Sequence, residues 1–204
     1  MIVVDIEMSG TDILKNGIWQ IGAIDTDDPE KYFLDECRID DDEETDDEAM
    51  SACNFTEERL RDKNKQSQKE LLDKFFTWCE YSKIKNCICQ GPQVDTAFLK
   101  AKASKHNVKY PFHWRAFDLH SMASLKYKEI YGHILISDNH SDMSLAKIIF
   151  FCGMKDNRTG HNALEDAKLT AECFVRIVYG KKFLKEFEDY EIPAYLQQIG
   201  EIKC

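Results

Sequence analysis

The sequence has little of what builds a repetitive, membrane-spanning or zinc-stapled protein. Its 204 residues include nine glycines and four prolines, with no Pro/Gly-rich linker and no internal repeat, so a single domain over 1–204 is expected. Nowhere do about 18 apolar residues follow one another, so no membrane span is expected. The first residues, Met1-Ile2-Val3-Val4-Asp5, lack the basic flank and apolar run of a signal peptide. The eight cysteines contain no CxxC pair, and the closest two, Cys87 and Cys89, would point to one face of a strand. Buried, reduced thiols in a cytoplasmic protein are the resulting expectation. Positive charge is also short: 27 Lys and Arg stand against 37 Asp and Glu, a net charge of −10. That balance excludes a protein gripping nucleic acid through a broad basic surface. It leaves room for a binder whose positive charges are metal ions.

What is present reads as strands first, then alternating strands and helices. Ile2–Glu7 is short, β-branched and apolar, as a buried central strand would be. Ile18–Asp25 and Tyr32–Ile39 follow as antiparallel neighbours, joined through an Asp27-Asp28-Pro29-Glu30 turn. The run Asp40-Asp41-Asp42-Glu43-Glu44, continuing to Glu48, predicts a solvated, mobile acidic surface loop near 40–48. Thr56 can cap a short helix, and Ser67 with Glu70 has capping-box spacing ahead of Leu71, Leu72, Phe75, Phe76 and Cys79. Small strands are expected at Cys87–Gln90 and Ala116–Leu119. Helices are expected at Val94–His106, Ser121–Tyr131 and Met143–Cys152, from Asn162 to Tyr179, and in the tail 181–204. The order implies an α/β domain with a mixed sheet.

Three short segments carry acids at element ends. Asp5-x-Glu7 closes the first strand, where residues two apart point to one side. Asp95 follows the Gly91-Pro92 turn at the start of a helix. His161 precedes the Asn162 cap of the long helix that carries Asp166. Singly each is ordinary: Asp-x-Glu is frequent, an acid suits a helix start, and a histidine there is commonly a surface residue. Together they place four acids and a histidine so that they can converge at one sheet edge. Carboxylates of this kind suit Mg²⁺ or Mn²⁺, and two such ions can flank a phosphodiester while an imidazole takes a proton from water.

The segments Asp5-Ile6-Glu7-Met8-Ser9-Gly10, Gly91-Pro92-Gln93-Val94-Asp95-Thr96-Ala97-Phe98-Leu99 and His161-Asn162-Ala163-Leu164-Glu165-Asp166-Ala167 resemble the three exonuclease motifs of the DnaQ-like DEDDh family. Trp19-Gln20-Ile21-Gly22-Ala23 and Phe117-Asp118-Leu119 agree with it, and the resemblance runs from residue 2 to about 179. It implies a ribonuclease H-like fold, with a central mixed five-stranded sheet flanked by helices, and 3′→5′ removal of nucleotides. It further implies Asp5, Glu7, Asp95 and Asp166 as ligands of two metal ions, His161 as general base, and contact of Met8, Ser9 and Gly10 with the terminal nucleotide. Gln20 stands where relatives often carry an acid, and Pro92, Gln93 and Val94 are unusual before the third acid.

Helical spacing from Asp95 puts Leu99 and Lys102 on one face, so Phe98 and Leu99 are candidates to touch a base or sugar and Lys102 a phosphate. Burial of Phe98 and Leu99 in the core is the equal alternative. Single-stranded 3′ ends are the expected partner, DNA ahead of RNA tails or short oligoribonucleotides; a polymerase or another nucleic-acid enzyme is a further candidate partner. A catalytically silent partner-binding domain, and a set of merely structural acids, are the readings from other classes.

Overall fold

The computed structural model of the chain describes residues 1–53 and 55–197. Its centre is a five-stranded sheet made of β1 (Ile2–Met8), β2 (Ile18–Asp25), β3 (Asp28–Glu36), β4 (Cys87–Cys89) and β5 (Phe117–Asp118), in the order β3-β2-β1-β4-β5. β2 runs antiparallel to β1 and β3, whereas β4 and β5 run parallel to β1 and to each other. The mixed sheet with its antiparallel first strands is as expected.

Alternation along β1 divides the core. Ile2, Val4 and Ile6 pack with Leu71, Leu72, Phe75 and Phe76 of α3 (Gln68–Cys79) and with Phe98 and Leu99 of α4 (Pro92–Lys105). Val3 points the other way, into a cluster with α5 (Leu119–Tyr131), α6 (Leu145–Phe151) and α7 (Ala163–Tyr179). Asp5 and Glu7 share the parity of Val3 and so face the α7 side. Cys87 and Cys89 lie together on the α3/α4 side, and Cys37, Cys79, Cys87, Cys89, Cys152 and Cys173 are free and buried. Burial raises the Cys37 and Cys79 thiols well above their ordinary range, which leaves them unreactive.

The helix starts follow their caps. Thr56 accepts from Arg59 N at the head of a four-residue helix, Glu57–Leu60, and Ser67 and Glu70 form the reciprocal capping box of α3. Asn162 Oδ1 accepts from Leu164 N and Glu165 N, each at 3.1 Å, and so fixes where α7 begins.

Several local expectations are corrected. β3 begins at Asp28 and runs through Pro29, which an edge strand tolerates because no neighbour needs the missing N–H. Asp41, Asp42, Glu44 and Asp46–Glu48 of the 40–48 segment are exposed, but Glu43 is not solvated: it is 3% exposed, ion-paired to Lys102 at 2.6 Å, and accepts from Gln68 Nε2 at 2.7 Å. A helix, Asp47–Cys53, follows directly. A small hairpin, Ile136–Ser137 with His140–Ser141, turns through Asp138 and Asn139 at positive φ. Among the described residues of the tail, only a 3₁₀ turn at Lys185–Phe187 and a short helix at Ala194–Gln197 form. Backbone groups there serve α7 instead: Glu172 accepts from Phe183 N and Leu184 N, while Arg176 donates to the carbonyls of Phe187 and Tyr190. Residues 198–204 of the expected helical tail lie outside the described residues.

No described helix is long and apolar enough to cross a membrane.

Candidate active site

Asp5, Glu7, Asp95, His161 and Asp166 all line one cleft of about 470 Å³, together with Met8, Gly10, Thr11, Val94 and Arg158. β1 delivers the first two, and a register shift between Glu7 and Met8 marks where the strand leaves regular pairing with β2. Asp95 comes from the first turn of α4. That turn is fixed by Gly91, whose φ of 80° favours glycine and whose N–H donates to Asp118 Oδ1 at 3.2 Å. Asp118 also caps α5 through His120 N, so one carboxylate ties β5 to the turn that aims Asp95.

α7 brings the last pair. Its N-terminus sits hard against β2: a Cβ on Gly22 would lie 2.1 Å from the carbonyl carbon of Ala163, so no other residue fits at this crossing. Gly22 pairs with Asp5 across the sheet. Gln20 Oε1 accepts from Ala163 N at 2.8 Å, and its Nε2 donates to Glu36 Oε1 at 3.0 Å. The Trp19-Gln20-Ile21-Gly22 run is therefore the seat of the helix that carries Asp166, and the amide of Gln20 serves as the acceptor there.

Electrostatics set the cluster apart. Burial first, then the charges of Asp95, Asp166 and Glu7, push the Asp5 carboxyl well above the usual carboxylate range, and Arg158 only partly offsets this. Asp95 is pushed up to about 7, mainly by burial, against the pull of the backbone amides of Asp95 and Ile6. Glu7, His161 and Asp166 each present a ligand atom, all within 4.8 Å of one another. His161 stays half exposed, with Nδ1 3.8 Å from Asp166 Oδ2.

Sequence reasoning missed one charged residue of the cleft. Arg158 donates from Nε and Nη2 to Asp156, at 2.9 and 2.6 Å, and from Nη1 to Asp166 Oδ1 at 2.9 Å. A cation thus already rests on one of the clustered carboxylates. Nothing in its spacing could have shown this, because it sits in an irregular segment before His161. The donor set, four carboxylate side chains and one imidazole, is the chemistry that hard divalent cations prefer.

Four expected substrate contacts are not where the sequence put them. Phe98 and Leu99 have no exposure, because the face of α4 they occupy packs on the sheet. Lys102 is 3% exposed and spent on Glu43, so no phosphate can reach it. Ser9 is fully buried: its Oγ donates to Glu44 O and accepts from Gly17 N, and its own N–H and C=O bond to Gly17 and Asp46. Ser9 braces the loop, while Met8 and Gly10 reach the cleft.

The family model described as exonuclease, RNase_T, matches residues 2–174, and the chain belongs to that exonuclease family. No curated protein sequence matches it. Among solved structures, Escherichia coli Exonuclease I in complex with a dT13 oligonucleotide superposes with a TM-score of 0.69 at 17% identity, over 86% of this chain and 40% of that one. This chain therefore spans about two fifths of Exonuclease I. The nuclease domain of 3′hExo, a DEDDh family member bound to rAMP, gives 0.66 at 17% identity over 90% and 94%. A 3′-exonuclease that recognises the 3′ end of the histone mRNA stem-loop gives 0.66 at 16% over 90% and 64%. The chain has the ribonuclease H-like fold that these nucleases share.

Proposed function

We propose that this exonuclease hydrolyses the 3′-terminal phosphodiester of single-stranded nucleic acid, releasing nucleoside 5′-monophosphates, with two Mg²⁺ or Mn²⁺ ions held by Asp5, Glu7, Asp95 and Asp166. The observation that carries this is the convergence of Glu7, His161 and Asp166 ligand atoms within 4.8 Å, in a cleft shared with Asp5 and Asp95. Bound there, the ions supply Lewis-acid stabilisation of the phosphate and a countercharge for the carboxylates.

The chain's own residues do the rest. The half-exposed imidazole of His161 stands at the lip, where it takes the proton of the attacking water. The water oxygen bonds to phosphorus, the bond to the 3′ oxygen of the preceding nucleotide breaks, and that oxygen leaves with a solvent proton. Asp166 Oδ2 lies 3.8 Å from His161 Nδ1, which keeps the imidazole beside the carboxylates. Met8 and Gly10 form the floor on which the terminal nucleotide rests. Arg158 adds a fixed positive charge beside the phosphate in a protein of net charge −10.

Single-stranded DNA is the leading substrate, in line with the dT13 held by Exonuclease I. RNA is the second reading, and the near-complete two-way coverage of the rAMP-bound 3′hExo domain favours it. Matched DNA and RNA oligomers, single-stranded and duplex, labelled at either end, decide polarity and sugar together. Mononucleotide release from the 3′ end by wild type, and none by Asp5→Asn, is the expected result. Equal inactivity of the two proteins with Mg²⁺ or Mn²⁺ present would establish a silent binding domain instead.

A further inference from the structure

Two of the cations that pair with no carboxylate stand near an exposed aromatic. From Thr96 to Phe117 there is no acidic residue. Within that stretch Lys102 and Lys105 are taken by Glu43, Asp40 and Asp42. Lys100 and Arg115 form no ion pair with any described residue. Between them stands Trp114, 75% exposed. The Arg115 guanidinium lies 4.4 Å from the centre of the Trp114 ring, and the His113 ring is 5.4 Å away.

The loop that presents this group is held in place. His113 N donates to Lys85 O, and Asn86 Nδ2 donates to Arg115 O at 2.7 Å, so both sides of Trp114 are tied to the chain leading into β4. A tryptophan costs little conformational entropy to order, and its exposed ring gains by being covered. Ala97, Lys100, His113 and Trp114 border a hollow of about 380 Å³.

That hollow and the catalytic cleft lie along the same helix. Val94 lines the cleft and Ala97 the hollow. Residues 94, 97 and 100 are spaced three apart and share one face of α4, which runs about 9 Å from Val94 to Lys100. Along that stripe the side chains are small or aliphatic until Lys100, so this face of α4 offers no acid before the cation.

We propose that Trp114, with Lys100 and Arg115, is a stacking platform for single-stranded nucleic acid, engaging nucleotides on the 5′ side of those in the cleft. A base lies on the indole face, and the two cations meet the flanking phosphates. Stacking on an aromatic accepts any base and combines with cations that follow the backbone, which suits an enzyme that advances along a strand regardless of sequence. The platform rests on the exonuclease reading for its orientation, and its test is kept separate from catalysis.

The test is binding of labelled dT and rU oligomers of roughly twelve nucleotides to the full chain in EDTA, where no hydrolysis occurs, beside hydrolysis of a dinucleotide with Mn²⁺. Trp114→Ala weakens oligomer binding about tenfold or more. It leaves dinucleotide hydrolysis unchanged. Lys100→Gln and Arg115→Gln each lower the steepness with which affinity falls as salt rises. Preference between the dT and rU arms names the polymer. Unchanged oligomer binding by Trp114→Ala overturns the platform, as does an equal loss on dinucleotide and long oligomer. A wild type that binds through Trp114 but cuts nothing overturns the catalytic reading and leaves the platform standing.

Discussion

Helix α4 buries a charge near each of its ends, and the two ends treat it in opposite ways. In the last turn Lys102 meets Glu43 at 2.6 Å, and Glu43 also receives Gln68, Lys105 and the backbone N–H of Asp40. Burial alone would raise the Glu43 carboxyl, yet the hydrogen bonds from Lys102 and Asp40 hold it below the ordinary range. In the first turn Asp95 is equally buried, but its neighbours include the carboxylates of Glu7 and Asp5, and it rises to about 7. A buried acid answered by donors on all sides is part of the scaffold. One crowded by further acids stores a demand for cations, and it is there that chemistry is placed.

This contrast can be broken by substitution. Asp5→Asn or Asp95→Asn should reduce nucleotide release by about a thousandfold or more while raising the melting temperature of the metal-free protein. A lower melting temperature in EDTA would mean that the cluster is balanced after all. Lys102→Ala should do the reverse. It removes the most deeply buried partner of Glu43, which keeps Lys105, Gln68 and the Asp40 N–H, and costs about 1.5–3 kcal/mol, a fall of roughly 5 °C in melting temperature, while dinucleotide turnover by the protein that remains folded is unchanged. Unaltered stability would show that the pair contributes nothing net.

Arg158→Gln tests whether the guanidinium stands in for metal. Metal-free stability should drop, and the Mn²⁺ concentration giving half of the thermal shift should fall several-fold, because Asp166 no longer has a resident cation to displace. An unchanged midpoint would separate Arg158 from metal entry.

The smallest effect is that of pH. Asp95 is raised from an unfolded value near 3.9 to about 7, so its contribution to stability is present below about pH 4 and is lost as pH rises through 7. Asp5 shifts in the same direction. Mg²⁺ should then raise the melting temperature by a few degrees more at pH 8 than at pH 6. Equal shifts at the two pH values would contradict the assignment.

The sequence was most readable where a local rule and the tertiary environment agree. Asn162 and the Ser67–Glu70 box start their helices because side chain and backbone sit a few residues apart, and alternation alone sets Asp5 and Glu7 on one side of β1. Convergence of the five site residues follows from such element ends. What could not be read depends on partners far along the chain. Gln20 looked like a departure from the family, but its acceptor oxygen meets Ala163 N, 143 residues away. Glu43 looked solvated like the rest of its acidic run because its cation, Lys102, lies 59 residues on. Lys102 was offered to a phosphate for the same reason. The hairpin through Asp138-Asn139 is different: two residues tolerant of positive φ stood side by side, and the signal was there to be read.

The bond network at the far end of α7 bears on where this protein can be cut. The family match stops at residue 174, inside α7. Two residues later Arg176, with no exposure, needs the carbonyls of Cys152, Phe187 and Tyr190, and the equally buried Glu172 needs the amides of Phe183 and Leu184. A polypeptide trimmed at the homology boundary would lose Arg176 itself and leave the buried Glu172 carboxylate without any of these partners. The smallest unit that folds therefore extends at least through Tyr190, and a protease that nicks the chain between 180 and 190 should release the brace of the helix on which Asp166 sits.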